Sequence, residues 1–341
     1  MTALSAYCKL RKFMEDFFMK KFTAIILAAL FVMPLFAGCA AHKKYGSKLV
    51  ITAAAFPEYD WIRVLTAGND NIELNLLLDT GVDLHSYQPT APDIVKIADS
   101  DVFVYVGGES ESWTDKLVKS SQNKDLICIS LLSELGEMAK LEEEAEGMQH
   151  NEEGEEEKEE EEEEYDEHIW LSLKNATYLC SQTAKKLCEI DPQNKDLYEN
   201  NLSAYKEKLG KLDKEYEEAV ASAKTKTLIF ADRFPFRYLV DDYGLSYYAA
   251  FSGCSAESEA SFETIVFLAD KVDKLGLDTI IKIETSDGKL AETVKNSTKS
   301  KNQKTVTLNS LQSVTLDMAN GGTTYISVME KNLEALKETL G

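Results

Sequence analysis

The sequence predicts an α/β protein of two similar lobes, each a mostly parallel sheet flanked by helices, joined by one long rigid helix. Three observations carry this expectation. Short apolar runs alternate with helical patterns both early and late in the chain, as in sheets covered by helices on both faces. A helical register of about 25 residues separates the two alternating regions. Behind the N-terminal leader, roughly 300 residues remain, enough for two lobes of ordinary size.

Each element has its own signal. Residues 48–56 (KLVITAAAF) read as a strand and 60–67 as a helix, followed by a second apolar strand over 72–78. Pro89 and Thr90 are turn and capping chemistry, and they open a helix over 91–98. The strand 101–106 (DVFVYV), a helix over 113–119 and a strand over 126–130 complete the first alternation. Ala176, Leu179, Cys180, Thr183, Ala184, Leu187 and Cys188 then follow helical spacing until Pro192 interrupts. Beyond it Tyr198, Leu202, Tyr205, Leu209, Leu212, Tyr216 and Ala219 form one register, roughly 38 Å long at 1.5 Å per residue. A helix of that length fits a connector packed along both lobes. Strands over 227–231, 247–251, 279–283 and 305–308, with a closing helix over 325–340, make the second alternation.

The ends suggest an address. Met19 is a better start than Met1: Lys20–Lys21 precede an apolar run from Phe22 to Phe36 and then Ala37–Gly38–Cys39. That is a secretory signal with a lipoprotein cleavage box. Its apolar run is shorter than the roughly 20 residues that span a bilayer, although an uncleaved anchor is the alternative. The expected plan is a leader over 1–38, lipid on Cys39 and a tether over 39–47. An N-terminal lobe follows over 48–140, an acidic disordered loop over 141–167, linking helices over 168–223 and a C-terminal lobe over 224–341. The protein is then held on the extracytoplasmic face of the cell membrane.

The formal charge of −22 is concentrated: residues 141–167 hold seventeen acids against one lysine. So dense a run cannot bury apolar surface. It also argues against a nucleic-acid partner, which requires a basic face. Of the six cysteines, Cys8 and Cys39 belong to the leader and its box, leaving Cys128, Cys180, Cys188 and Cys254. No C-x-x-C pair occurs, and the pairing of these four is open. Cys180 and Cys188 read as small core residues of one helix.

Two of the four histidines stand where chemistry is expected. His85, in GVDLHSYQPTAPD (81–93), lies in a loop at the carboxyl end of a strand, where open α/β sheets bind ligands. His168 ends the acidic run and opens the helix at HIWLSLKNA (168–176). Neutral imidazole is the commonest side-chain metal ligand, and a surface-loop histidine is the bland reading of each.

Several longer motifs sharpen this. HSYQPTAPD (85–93), ADSDVFVYVGGESESW (98–113), DEHIWLSLKNA (166–176), DPQNKDLYENNLSAYKEKL (191–209), FRYLVDDYGL (236–245) and GCSAESEAS (253–261) stand in order along the chain. In them the sequence resembles the solute-binding lipoproteins of zinc/manganese ABC importers, over essentially the whole mature protein. The resemblance implies a metal-binding receptor with two lobes and one long linking helix, with His85 and His168 as ligands. It also implies zinc as cargo, with manganese the alternative, and an ABC permease with its ATPase as partners. A monomer is expected. The family's third ligand column holds Arg233, which cannot bind a cation, so Asp232 beside it is the candidate. The fourth column holds Asn309, a neutral oxygen donor. Arg233 is expected to pair with a carboxylate such as Asp232 or Glu259.

Other functions are weighed against this one. No H-E-x-x-H and no G-x-S-x-G elbow occurs, which argues against a zinc hydrolase and against an enzyme generally. A lipoprotein of the same shape that grips an organic or chelated ligand through Arg233 is one alternative. A surface adhesin is another.

Overall fold

The computed structural model of the chain describes residues 48–81, 84–120, 123–149, 164–255 and 259–341. The leader, Cys39, the tether, His150 and most of the acidic run lie outside the described residues.

The first lobe is a four-stranded parallel sheet in the order β2-β1-β3-β4, formed by β1 (Leu49–Ala53), β2 (Ile72–Leu76), β3 (Val102–Tyr105) and β4 (Ile127–Ser130). Helices α1 (Phe56–Leu65), α2 (Ala91–Ala98) and α3 (Trp113–Ser120) return the chain between strands. A short helix, α4 (Leu131–Leu135), follows β4. Helix α1 starts four residues earlier than its apolar spacing suggests. Pro57 is accommodated in the first turn, and a carboxyl oxygen of Glu58 accepts the Ala55 amide at 2.9 Å to close the end.

Past the acidic run the chain makes a single 3₁₀ turn, Ile169–Leu171, before helix α5 (Leu173–Ile190). The α-helix therefore does not open at His168 as its sequence position suggests. Ser172 sets the true start, its Oγ accepting the Asn175 amide at 2.9 Å. The connector α6 (Lys195–Ala221) is 27 residues long. Near its start Asn201 donates to the carbonyls of Leu65 and Ala67 in the first lobe. Near its end Tyr216 donates to the Met329 carbonyl in the second, at 2.6 Å.

The second lobe repeats the plan: β5 (Thr227–Phe234), β6 (Ser246–Ser252), β7 (Thr279–Ile283) and β8 (Lys304–Leu308) form a parallel sheet in the order β6-β5-β7-β8. Its helices are α7 (Arg237–Tyr243), α8 (Phe262–Leu275), α9 (Lys289–Ser297), α10 (Leu316–Asn320) and α11 (Tyr325–Leu340). Strand β5 extends three residues beyond its apolar run, through Asp232 and Arg233, and its pairing with β6 is irregular between Phe230 and Arg233. A bulge re-aims side chains, and this one stands at the lobe's inner end.

The two lobes share a core. One cluster of buried apolar residues runs from Ile51 and Trp61 through Trp170 and Tyr216 to Tyr325. Buried polar contacts cross with it. Tyr325 donates its amide to Asp60 at 2.7 Å and its hydroxyl to the Trp170 carbonyl at 2.6 Å, while Trp170 Nε1 donates to the Ser310 carbonyl at 2.8 Å. Such an interface resists wide hinge opening. Among the described residues no helix is long and apolar enough to cross a membrane.

The flanks of the acidic run are ordered, a correction to the disorder expected over all of 141–167. Leu141 and Tyr165 form an antiparallel bridge, and the Glu142 amide donates to the Glu164 carbonyl at 2.8 Å. Met148 is buried, and the Gln149 amide donates to the Ala250 carbonyl at 2.9 Å. Arg237 pairs with Glu143, and Lys271 with Glu146. Composition alone misses this because the apolar anchors Leu141 and Met148 and the cationic partners from the second lobe are invisible within the run.

Candidate metal centre

His85 and His168, 83 residues apart, meet. Their Nε2 atoms are 3.0 Å apart, with ring centroids at 5.0 Å. His85 sits in a 3₁₀ turn, Leu84–Ser86, beyond β2, and His168 just precedes the turn that leads into α5. Both rings are withdrawn from solvent, His168 completely.

Each ring is oriented by oxygen on its other nitrogen. His168 Nδ1 lies 2.9 Å from Asp166 Oδ1, which also accepts the His168 amide at 2.8 Å. His85 Nδ1 lies 2.6 Å from Ser110 Oγ, with Glu167 Oε2 on the same side at 3.7 Å. The 3.0 Å Nε2···Nε2 contact is a hydrogen bond in the metal-free chain. A cation between the rings would displace its proton, and with both Nδ1 atoms donating to their oxygen partners both Nε2 lone pairs would then be free to ligate. Ligands at about 2.0–2.1 Å from a tetrahedral ion stand about 3.3 Å apart, close to the spacing observed. Burial lowers the His168 pKa, but Asp166, with Glu167 and Glu142 behind it, outweighs that and leaves the ring above its ordinary value.

The supports are themselves supported. Tyr238 donates its hydroxyl to the Asp166 carbonyl and accepts the Lys140 amide, each at 2.9 Å. Glu167 Oε1 accepts the Ser110 amide at 2.8 Å, and buried Glu111 accepts the Gly107 amide at 2.7 Å. The loop carrying Ser110 is therefore fixed on two sides. Gly108, at φ +97°, allows the close approach: a Cβ there would stand 2.4 Å from Glu167 Oε1. None of these supporting residues was given a role from sequence. Their one signal was membership of long motifs, VGGESESW, DEHIW and FRYLVDDYGL.

A third donor is present that the sequence reading left among cysteines of open pairing. The Cys254 thiol joins the two imidazoles in a group whose donor atoms all lie within 4.8 Å of one another. Among the described cysteines none forms a disulfide. Burial and the carboxylates of Glu142, Glu167 and Asp166 push this thiol well above its ordinary pKa. A bound cation reverses that preference by stabilising the thiolate.

Asp232, Asn309, Arg233 and Glu259 are placed differently. Asp232 is outside the donor group: its Oδ1 accepts the Arg233 amide at 2.9 Å and its Oδ2 the Ile283 amide at 3.2 Å, joining β5 to β7. Asn309 shapes a turn, its Oδ1 accepting the Leu311 amide at 2.7 Å while Asn332 pairs with its backbone. Arg233 donates to the Ser255 carbonyl at 3.4 Å. With Asp232 and Glu259 it lines a cavity of about 730 Å³ that also reaches Ser86, the neighbour of His85. His85 and Cys254 line a second cavity, of about 930 Å³, with Glu109, Glu142, Glu164 and Glu167, while His168 lies buried behind them. Burial and this crowding of like charges raise Glu164 to about 7.

Two parallel α/β lobes on a long helix, with imidazoles from separate loops meeting near the lobe junction, are the architecture of a binding receptor. The chain belongs to the family described as zinc-uptake complex component A, periplasmic, whose model matches residues 51–339. It is 35% identical over 323 residues to the zinc-binding lipoprotein AdcA of Streptococcus pneumoniae, covering 94% of this chain but 61% of that relative. The chain thus spans about three fifths of AdcA's length. Against the high-affinity zinc uptake system protein ZnuA of Bacillus subtilis it is 29% identical over 326 residues, with 94% of this chain and 98% of that one covered. Among solved structures, the Zn(II)-bound ZnuA-like domain of the pneumococcal AdcA matches with a TM-score of 0.67 at 33% identity, over 86% of this chain and 99% of that domain. The metal-dependent lipoprotein YcdH of Bacillus subtilis matches with a TM-score of 0.69 at 27% identity, over 86% and 99%.

Proposed function

We propose that this protein is the extracytoplasmic receptor of a zinc importer, which captures Zn²⁺ between its lobes and delivers it to an ABC permease driven by an ATPase. One observation carries the proposal: the two imidazoles face each other through Nε2 at 3.0 Å, each held by a hydrogen-bonded oxygen on Nδ1. That is the arrangement of histidines prepared for a metal. The relatives named as zinc-binding or zinc-uptake proteins support zinc as the cargo. The carboxylates at the cavity rim favour cation entry. Lipid on Cys39 would keep the receptor at the membrane beside its permease. The protein acts by binding and release, without turnover.

The test is metal analysis of protein purified without chelators, followed by competition titration of His85→Ala and His168→Ala. Stoichiometric zinc in the wild type and an affinity loss of at least a hundredfold in each variant are expected. The double variant should be little worse than the weaker single one, since ligands of one ion act as a unit. Wild-type affinity in both single variants would overturn the proposal.

A further inference from the structure

We infer that Cys254 supplies the third ligand to the cargo ion, taking the place of the donor that this chain lacks at Arg233. The inference rests on the zinc-receptor reading and goes beyond it, because the resemblance implied a ligand from the end of β5 and none from the loop after β6.

The register explains how the donor can move. Strands β5 and β6 are parallel neighbours, with Arg233 beside Phe251 and Phe234 beside Ser252. Neighbouring strands are only about 4.8 Å apart. Cys254, two residues beyond the end of β6, is therefore delivered to nearly the same point in space as a side chain leaving the end of β5. Arg233 turns toward the Ser255 carbonyl, on the far side of Cys254 in sequence.

The loop is built for this approach. A Cβ on Gly253 would stand 2.9 Å from His168 Cε1 and 2.9 Å from the Phe234 carbonyl oxygen. Only glycine lets the backbone pass so near the ring, and the next residue is the cysteine. The Cys254 amide donates to Glu142 Oε1 at 3.3 Å, which ties the loop to the base of the acidic run. The thiol thus has a fixed backbone and two imidazole neighbours within 4.8 Å.

The donor set has a consequence for selectivity. Two imidazoles and one thiolate suit zinc, whereas manganese prefers carboxylate and other oxygen donors. As a thiolate, the sulfur adds one negative charge to two neutral imidazoles, which favours a divalent cation. A three-ligand site with a fourth position open to water suits an ion that must leave again.

Cobalt(II) serves as the probe, because thiolate ligation gives an intense sulfur-to-cobalt charge-transfer band in the near ultraviolet that imidazoles and carboxylates do not. Full-length protein loaded with Co²⁺ should show this band, and Cys254→Ser should lose it. Zn²⁺ affinity by competition titration should fall at least a hundredfold in Cys254→Ala and return to within tenfold of wild type in Cys254→His. Cys254→Asp should narrow the preference for Zn²⁺ over Mn²⁺ by at least tenfold. Melting of the metal-free variants within a few degrees of wild type excludes a folding defect. A wild-type Co²⁺ spectrum without the charge-transfer band overturns the inference, as does unchanged affinity in Cys254→Ala. If either occurs while His85→Ala still abolishes binding, the receptor reading stands without Cys254. If the histidine variants also bind normally, that reading itself fails.

Discussion

Replacing Asp166 by Asn tests whether the carboxylate behind His168 prepares its imidazole. Its Oδ1 accepts both the ring Nδ1 of His168 at 2.9 Å and the backbone amide at 2.8 Å, and the carboxylate is almost entirely buried. Asparagine can keep an oxygen at the same point, so ring orientation survives while the negative charge is lost. A ring backed by a neutral amide is a weaker donor through Nε2. Loss of such a partner typically costs ten- to a hundredfold in metal affinity, or about 1.4 to 2.7 kcal/mol. Asp166→Ala removes the acceptor altogether and should fall at or beyond the upper end. Titration of zinc against a chromophoric chelator measures both, with melting of the metal-free protein as the control for folding. Affinity within threefold of wild type in Asp166→Ala would refute the claim that this carboxylate prepares the ring.

Asp232→Ala should cost stability and leave zinc alone. Losing two bonds to backbone amides is worth about 1–3 kcal/mol, read in chemical denaturation, while affinity stays within threefold; a hundredfold loss would make it a ligand after all. Glu58, buried and raised to about 8 from 4.5, is held protonated in the folded state. Because the folded chain binds the extra proton, its stabilising effect is complete below pH 4.5 and is lost as pH climbs toward 8, at up to about 1.4 kcal/mol per pH unit. Glu58→Gln should flatten that slope in melts of metal-free protein at pH 5 and pH 8, and an unchanged slope would contradict the assignment. Replacing residues 150–163 with a short Gly-Ser linker should keep zinc affinity within tenfold, because Glu142 and Glu164 at the cavity rim are spared. Gly108→Ala should weaken zinc binding by displacing Glu167, and an unaltered affinity would remove that loop from the argument.

Sequence by itself determined the fold class and nearly every strand and helix, and it singled out the two histidines that the fold brings together. The reason is local: buried parallel strands read as apolar runs, helices as 3.6-residue periodicity, and Thr90 or Pro192 as start and stop signals. It also placed His85 and His168 on loops, since both stand next to such boundaries. Tertiary structure decided everything that depends on neighbours distant in the chain. Asp232 sits one residue from the family's ligand column, yet the pairing of β5 with β7 spends its carboxylate on the Ile283 amide. In sequence Cys254 is one of four cysteines of open pairing; only the parallel register of β5 and β6 carries it beside His168, through a gap that Gly253 leaves open. A strand pattern specifies which residues face a core; which loop ends converge on one ion is fixed only when strand order and register bring them together.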